Sequence, residues 1–250
     1  MMAAVWRLFS LLFLIAVSRA SEEEDIEAHR KLASSAKEGD VVAQFLLGQD
    51  YFWGQNGVKK DEETGLGLII QAADGQDKGA QEMAGILYIQ GHSDLIKKNV
   101  RKGVEYAEAA ATQGSVKSME ALGKAFYNGT GLEHMREEGR MENSVRWYLA
   151  GAREGSLIAQ ADLADMYRLG KGTKQDYKKA IEWYQKVAAN MDKVALASNP
   201  NSPPARANMT AVSKSMNNLG SMFAQGMGAT KDFDKAISYF EEVMQSWLRP

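Results

Sequence analysis

Residues 159–189 read AQADLADMYRLGKGTKQDYKKAIEWYQKVAA. Ala159, Leu163, Ala164 and Tyr167 fall at i, i+4, i+5 and i+8, which places them on one face of a helix. Gly170 then closes that helix, as a residue able to take positive φ should. After the Gly170-Lys171-Gly172 turn, a second helical run extends from Lys179 to Ala189. The stretch is therefore a helical hairpin, and the rest of the chain repeats it. The earlier first helices carry Ala43, Leu47, Gly48, Tyr51, Gly54; Ala80, Ala84, Gly85, Tyr88, Gly91; and Ser118, Leu122, Gly123, Phe126, Gly129. A later one carries Ser215, Leu219, Gly220, Phe223, Gly226.

Second helices follow each turn. Trp183-Tyr184, Trp147-Tyr148, Tyr239-Phe240 and Tyr106-Ala107 mark the later copies, and Gly65-Leu66-Gly67-Leu68 an eroded first one. Gly75, Gly114 and Gly155 are expected to open the next unit. A lone second-type helix over 26–38, with Gly39 after it, is expected to cap the array. Each pair is apolar on too many sides to stand alone, so stacking the units buries one continuous core. Small residues such as Ala43, Gly48, Ala80 and Gly85 let the helices approach closely.

These five copies in register resemble Sel-one-like repeats, relatives of tetratricopeptide repeats, over about residues 26–248. The resemblance implies an all-α fold: a right-handed α-solenoid of about five helix-turn-helix repeats with an N-terminal cap helix. It also implies protein or peptide binding, with first helices lining the concave face.

Individuality lies in the departures. Gly48 to Gly85 spans 37 residues and Gly85 to Gly123 38, whereas Ala164 to Gly220 spans 56. The excess forms an insert at about 191–210, holding Pro200, Pro203 and Pro204. A loop that long is functional or disordered, unless its flanks extend the adjacent helices.

Residues 1–20 read MMAAVWRLFSLLFLIAVSRA. One cation, Arg7, an apolar run from Leu8 to Val17, and small residues at Ser18 and Ala20 form the layout of a secretory signal peptide. The run is too short for the ~20 residues of a spanning helix. The expectation is a 1–20 signal peptide and a 21–250 repeat solenoid, exported to a bacterial periplasm or a eukaryotic secretory pathway. Once the signal is cleaved, no stable membrane insertion is expected. Cleavage removes two of the 30 basic residues and none of the 32 acidic ones, leaving a net charge of −4.

Composition excludes further classes. At 45% hydrophobic residues the chain is too apolar for disorder, and without cysteine it has no disulfide scaffold, thiolate metal site or catalytic thiol. The near balance of charge gives no reason to expect nucleic acid. His29, His92 and His134 lie more than a repeat apart, so no metal site is expected. No catalytic or dinucleotide motif occurs, and the Gly-x-Gly turns follow helices rather than strands. No enzyme activity and no cofactor are expected. Asn128-Gly129-Thr130 and Asn208-Met209-Thr210 match glycosylation sequons.

The remaining functional surface is the groove. On first helices, positions near i+3, i+6 and i+10 from the opening small residue point into it. Those are Leu46, Gln49, Trp53; Met83, Ile86, Gln90; Ala121, Lys124, Asn128; Asp162, Asp165, Leu169; and Asn218, Ser221, Gln225. Trp53 with Leu46, Met83 and Ile86 forms a candidate anchor pocket; the alternative is that Trp53 packs on the cap helix while Met83 and Ile86 join the core. The resulting expectation is an exported, non-catalytic scaffold that binds a protein or peptide. Two alternatives follow the resemblance: a periplasmic immunity protein neutralising a secreted effector such as a type VI lipase, and an adaptor of endoplasmic reticulum quality control. A β-lactam or cell-wall hydrolase comes last, because the family members with that activity are cysteine-rich. N-terminal sequencing of the exported protein should begin at Ser21; a start at Met1 would contradict the signal-peptide expectation.

Overall fold

The computed structural model describes residues 27–196, 199 and 202–248, with side chains as far as Gln245. The signal-peptide expectation over 1–20 lies outside them. The chain divides into two compact units, one up to Lys98 and one from Asn99.

The N-terminal unit holds α1 (27–37), α2 (Val41–Trp53), α3 (Glu62–Asp74) and α4 (Lys78–Gln90). The C-terminal unit holds α5 (Val100–Thr112), α6 (Val116–Asn128), α7 (Glu137–Arg153), α8 (Leu157–Leu169), α9 (Tyr177–Ala188), α10 (Met191–Ala195), α11 (Pro203–Gln225) and α12 (Phe233–Leu248). The pairs α2–α3, α6–α7, α8–α9 and α11–α12 are hairpins. Hairpins stack on their neighbours through α3–α4 in the first unit, and through α5–α6, α7–α8 and α9–α11 in the second. Each unit is thus an all-α stack of helix-turn-helix repeats, the architecture of an α-solenoid. The cap helix α1 buries Ala36 against Ala43 and Leu47 of α2.

Local chemistry sets the boundaries. Asp77 accepts from the backbone N–H of Ala80 at 2.7 Å and Ser156 from that of Ala159 at 2.9 Å, satisfying donors that the helix leaves open. The motif's closing glycines Gly54, Gly129, Gly170 and Gly226 end α2, α6, α8 and α11 at φ 68°, 72°, 68° and 74°. The α3–α4 turn differs from the other two. Gly75 has φ −75°, and the left-handed position falls on Gln76 at φ 68°, one residue later. Gly114 and Gly155 hold that position elsewhere, at φ 84° and 87°.

The repeat motif builds the interior. Ala80, Leu122, Ala159, Leu163, Ala164 and Leu219 are all 0% exposed. A recurring polar contact joins them. Gln44, Gln81 and Gln160 each follow the opening alanine, are buried, and donate from Nε2 to the carbonyls of Ala36, Ala73 and Ala152 at 3.1 Å. Each thereby ties a first helix to the end of the second-type helix before it.

The flanks of the insert are helix, the alternative left open above, rather than one loop over 191–210. Residues 191–195 form α10, and α11 begins at Pro203. Ser202 caps α11 through the N–H of Ala205, and prolines occupy its first positions, where their missing N–H costs nothing. Met191 and Val194 pack with Val187, Ala211 and Val212, so the insert extends the core.

Two glycines of α3 separate close packing from helix propensity. A Cβ on Gly65 would lie 2.5 Å from the Phe52 backbone nitrogen, whereas one on Gly67 would meet nothing within 4 Å. Gly65→Ala should cost about 1–3 kcal/mol of unfolding free energy. Gly67→Ala should add about 0.5–1 kcal/mol by restricting the unfolded chain. Urea titrations of both variants check this, and equal effects would contradict it.

Candidate functional site

The groove positions fall on exposed or half-buried parts of the first helices, and none is buried. In the N-terminal unit, α2 leaves Leu46 and Trp53 each 45% exposed. Gln49, Met83 and Ile86 are half-buried, and Gln90 is exposed. The Trp53 indole meets the rings of Phe52 and His92 edge-on, at centroid distances of 4.7 and 5.8 Å. Backbone hydrogen bonds between His92 and Ile96 fix that histidine, and Ser93 donates to Glu62 at 3.1 Å. Glu62 also pairs with Lys60 at 2.6 Å; the bonds from Lys60 and Ser93 hold its carboxyl below the ordinary range. Trp53 is thus propped by the turn after α4 and keeps nearly half its surface open.

In the C-terminal unit, α6 presents Lys124 and Asn128 to solvent and leaves Ala121 half-buried. Asp162, Asp165, Asn218 and Ser221 are half-buried, while Leu169 and Gln225 are exposed. Three of these expected positions meet in one polar network. Asp165 accepts from the Tyr184 hydroxyl, from Arg168 Nη2 at 3.1 Å and from Asn218 Nδ2 at 3.3 Å. Asn218 Nδ2 also donates to the Tyr184 hydroxyl at 3.0 Å, and Arg168 Nε does so at 3.2 Å. Lys214 of α11 bridges the two aspartates, pairing with Asp165 and lying 3.6 Å from Asp162.

The two carboxyls are pushed apart. Burial opposes charge on Asp165, but hydrogen bonds from Lys214 and Tyr184 outweigh it and hold its pKa below the usual value. At Asp162 burial wins over Lys214, and the pKa rises. Burial and Asp162 push the Tyr148 hydroxyl up; burial and Asp165 do the same to Tyr184. Beside the network lies a cavity of about 150 Å³, lined in part by Tyr127, Tyr148, Asp162 and Leu169.

The two sequons differ in place. Asn128 is exposed at the end of α6. Asn208 lies half-buried within α11, on a cavity of about 520 Å³, and Thr210 Oγ1 donates to the Arg206 carbonyl. His29, His92 and His134 are not brought together; among the described residues no group of three or more His, Cys, Asp or Glu could hold a metal ion. No helix among the described residues is long and apolar enough to cross a membrane.

The Sel1 repeat profile matches residues 41–77, 79–115, 116–156, 157–190 and 213–242. The chain belongs to the Sel1 repeat family. It is 30% identical over 167 residues to the chitin synthase regulator SKT5 of Saccharomyces cerevisiae, covering 66% of this chain and 23% of that protein. It is 30% identical over 116 residues to the Arabidopsis thaliana ERAD-associated E3 ubiquitin-protein ligase component HRD3B, covering 46% of this chain and 17% of that one. The chain therefore spans less than a quarter of the length of either relative. The crystal structure of a Sel1 repeat protein from Oxalobacter formigenes superposes with a TM-score of 0.63 at 26% identity, covering 89% of this chain and 80% of that one.

The polar network joins the fourth and fifth Sel1 repeats. Sequence reasoning located Asp162, Asp165 and Asn218 but missed Lys214, Arg168, Tyr148 and Tyr184. Lys214 carried a usable signal: it lies four residues before Asn218, on the same helix face. Tyr184 was legible only as a second-helix aromatic; it is 0% exposed, and its hydroxyl donates to Asp165.

Because the folded pKa of Asp165 is depressed, its stabilisation is present above the unfolded carboxylate pKa and is lost as pH falls through the folded value. Asp165→Asn should cost about 2 kcal/mol at pH 7. The deficit relative to the parent should shrink as pH drops below ~4. Urea unfolding of both proteins at pH 7 and pH 3 checks this; a deficit that grows in acid would refute it.

Proposed function

We propose that this Sel1 repeat protein is an exported, non-catalytic scaffold that binds a protein partner along the open face of the first helices within a unit. The observation that carries the reading is the state of that face. Stacking consumes the motif positions and leaves the groove positions open, with Trp53 half-exposed at one point and the Asp165 network held in place at another. Aromatic anchors and desolvated charged pairs are the groups that dominate protein interfaces. A regulator and a ligase component among the similar proteins accord with a binding role rather than a catalytic one. Export rests on the layout of residues 1–20. A second reading, an adaptor of secretory-pathway quality control, is favoured by the likeness to HRD3B taken with that N-terminal layout.

A photo-crosslinking amino acid placed at Leu46 or Ser221 should capture a partner in the native compartment. The same group at Lys178, exposed on α9, should capture none. Trp53→Ala should weaken the captured complex by about 2 kcal/mol. Crosslinks from Lys178 alone, with binding indifferent to Trp53→Ala, would refute the proposal.

A further inference from the structure

The cavity beside the polar network has the size of a socket for one side chain. Its volume of about 150 Å³ lies below the ~300 Å³ at which pockets for whole small molecules begin. Its titratable and charged lining is Tyr127 of α6, Tyr148 of α7, Asp162, Asp165 and Arg168 of α8, and Lys214 of α11. Leu169, 44% exposed, supplies apolar wall.

The two carboxyls on this wall are served unequally. Asp165 takes hydrogen bonds from Tyr184, Arg168 and Asn218 and pairs closely with Lys214. Asp162 has the Tyr148 hydroxyl and a 3.6 Å approach to the same Lys214. Its side chain is only 32% exposed, so it is half desolvated without a cation of its own. Nearby cations are committed elsewhere. Arg168 is held by Asp165 and Tyr184, and Lys171 by the hydroxyl and ring of Tyr127. A half-buried carboxylate short of compensating charge gains most from an incoming cation.

The lining also selects among side chains. An entering carboxylate would be a third acid beside Asp162 and Asp165, with Lys214 and Arg168 already spent on Asp165. An ammonium loses its proton readily when buried, whereas a guanidinium keeps its charge and meets a carboxylate with two parallel donors. The pair of acids is peculiar to the fourth repeat. The positions of Asp162 and Asp165 hold Leu46 and Gln49, Met83 and Ile86, Ala121 and Lys124, and Asn218 and Ser221 in the other repeats.

We infer that this cavity receives an arginine side chain of the partner protein, its guanidinium paired with Asp162 and its stem against Leu169. The inference rests on the proposed binding along the open face, and it names the partner group that the fourth repeat takes.

The probe is N-acetyl-arginine amide, titrated into the isotope-labelled full chain and followed by amide chemical shifts. N-acetyl-citrulline amide offers the same shape without the charge, and N-acetyl-glutamate amide the opposite charge. Arginine should give saturable shifts at Asp162, Leu169 and Lys214. It should bind about tenfold more tightly than citrulline, the worth of one charge-assisted pair. Asp162→Asn should abolish that preference. The citrulline comparison uses the parent chain, so it stands whatever that variant does to folding. Acidification should weaken arginine binding, because burial brings Asp162 to its neutral form before Asp165. Equal binding of arginine and citrulline, tighter binding of glutamate, or a preference indifferent to Asp162→Asn would overturn the inference. Capture of a partner from Leu46 or Ser221 without any arginine shift would overturn it too, and leave the open-face reading standing. Arginine shifts without capture would sustain the socket and count against that reading.

Discussion

Close approach of two helices at a missing side chain is the constraint on which this structure depends. In α2, α6 and α11 a glycine stands where a bulky residue of the following helix fits. A Cβ on Gly48 would lie 2.9 Å from Ile69, one on Gly123 2.5 Å from Tyr148, and one on Gly220 2.7 Å from Phe240. Ala164 shares the same buried cluster as Tyr184. The hairpin closes around that seat, and the stripe formed by its second helix then receives the next first helix. The buried glutamines Gln44, Gln81 and Gln160 reinforce the same junctions with a hydrogen bond to the preceding helix end. A buried carbonyl given a second donor costs little to desolvate, and the bond fixes the register of the stack.

The proposed binding role rests on what this packing leaves over. Helices in a stack have a seat side, a stacking side and a free side. In the C-terminal unit the free side carries Asp162, Asp165, Lys214 and Asn218, whose hydrogen bonds are made before any partner arrives. A preorganised polar face of this kind loses little conformational entropy on binding. The tyrosine hydroxyls beneath it connect the two roles, because Tyr184 fills the core with its ring and holds Asp165 with its oxygen.

Much of this was legible in the sequence, for a physical reason. A solenoid makes mainly nearest-neighbour contacts, so a local pattern repeated in register states the fold. Ala80, Leu122, Leu163 and Leu219 are interior where the spacing placed them. What escaped was chemistry that depends on one repeat meeting the next. Arg168 and Lys214 stand on different helices and are joined only through Asp165. At the insert, length left loop and helix extension both open, and Ser202 with the prolines at 203 and 204, a helix start, decides for helix. At the α3–α4 turn the left-handed residue is Gln76 beside an available glycine, an offset of one that composition could not reveal.

The most direct test of the account is native-state hydrogen exchange on Gln160→Met, which places in the fourth repeat the residue type found at Met119 and Met216 in the third and fifth. Loss of the bond to Ala152 should release about 1 kcal/mol at one junction. Faster exchange should therefore appear in α7 and α8, fade into α6 and α9, and be absent from α2 and α3. Exchange that accelerates equally along the whole chain, or nowhere, would contradict a structure held together junction by junction.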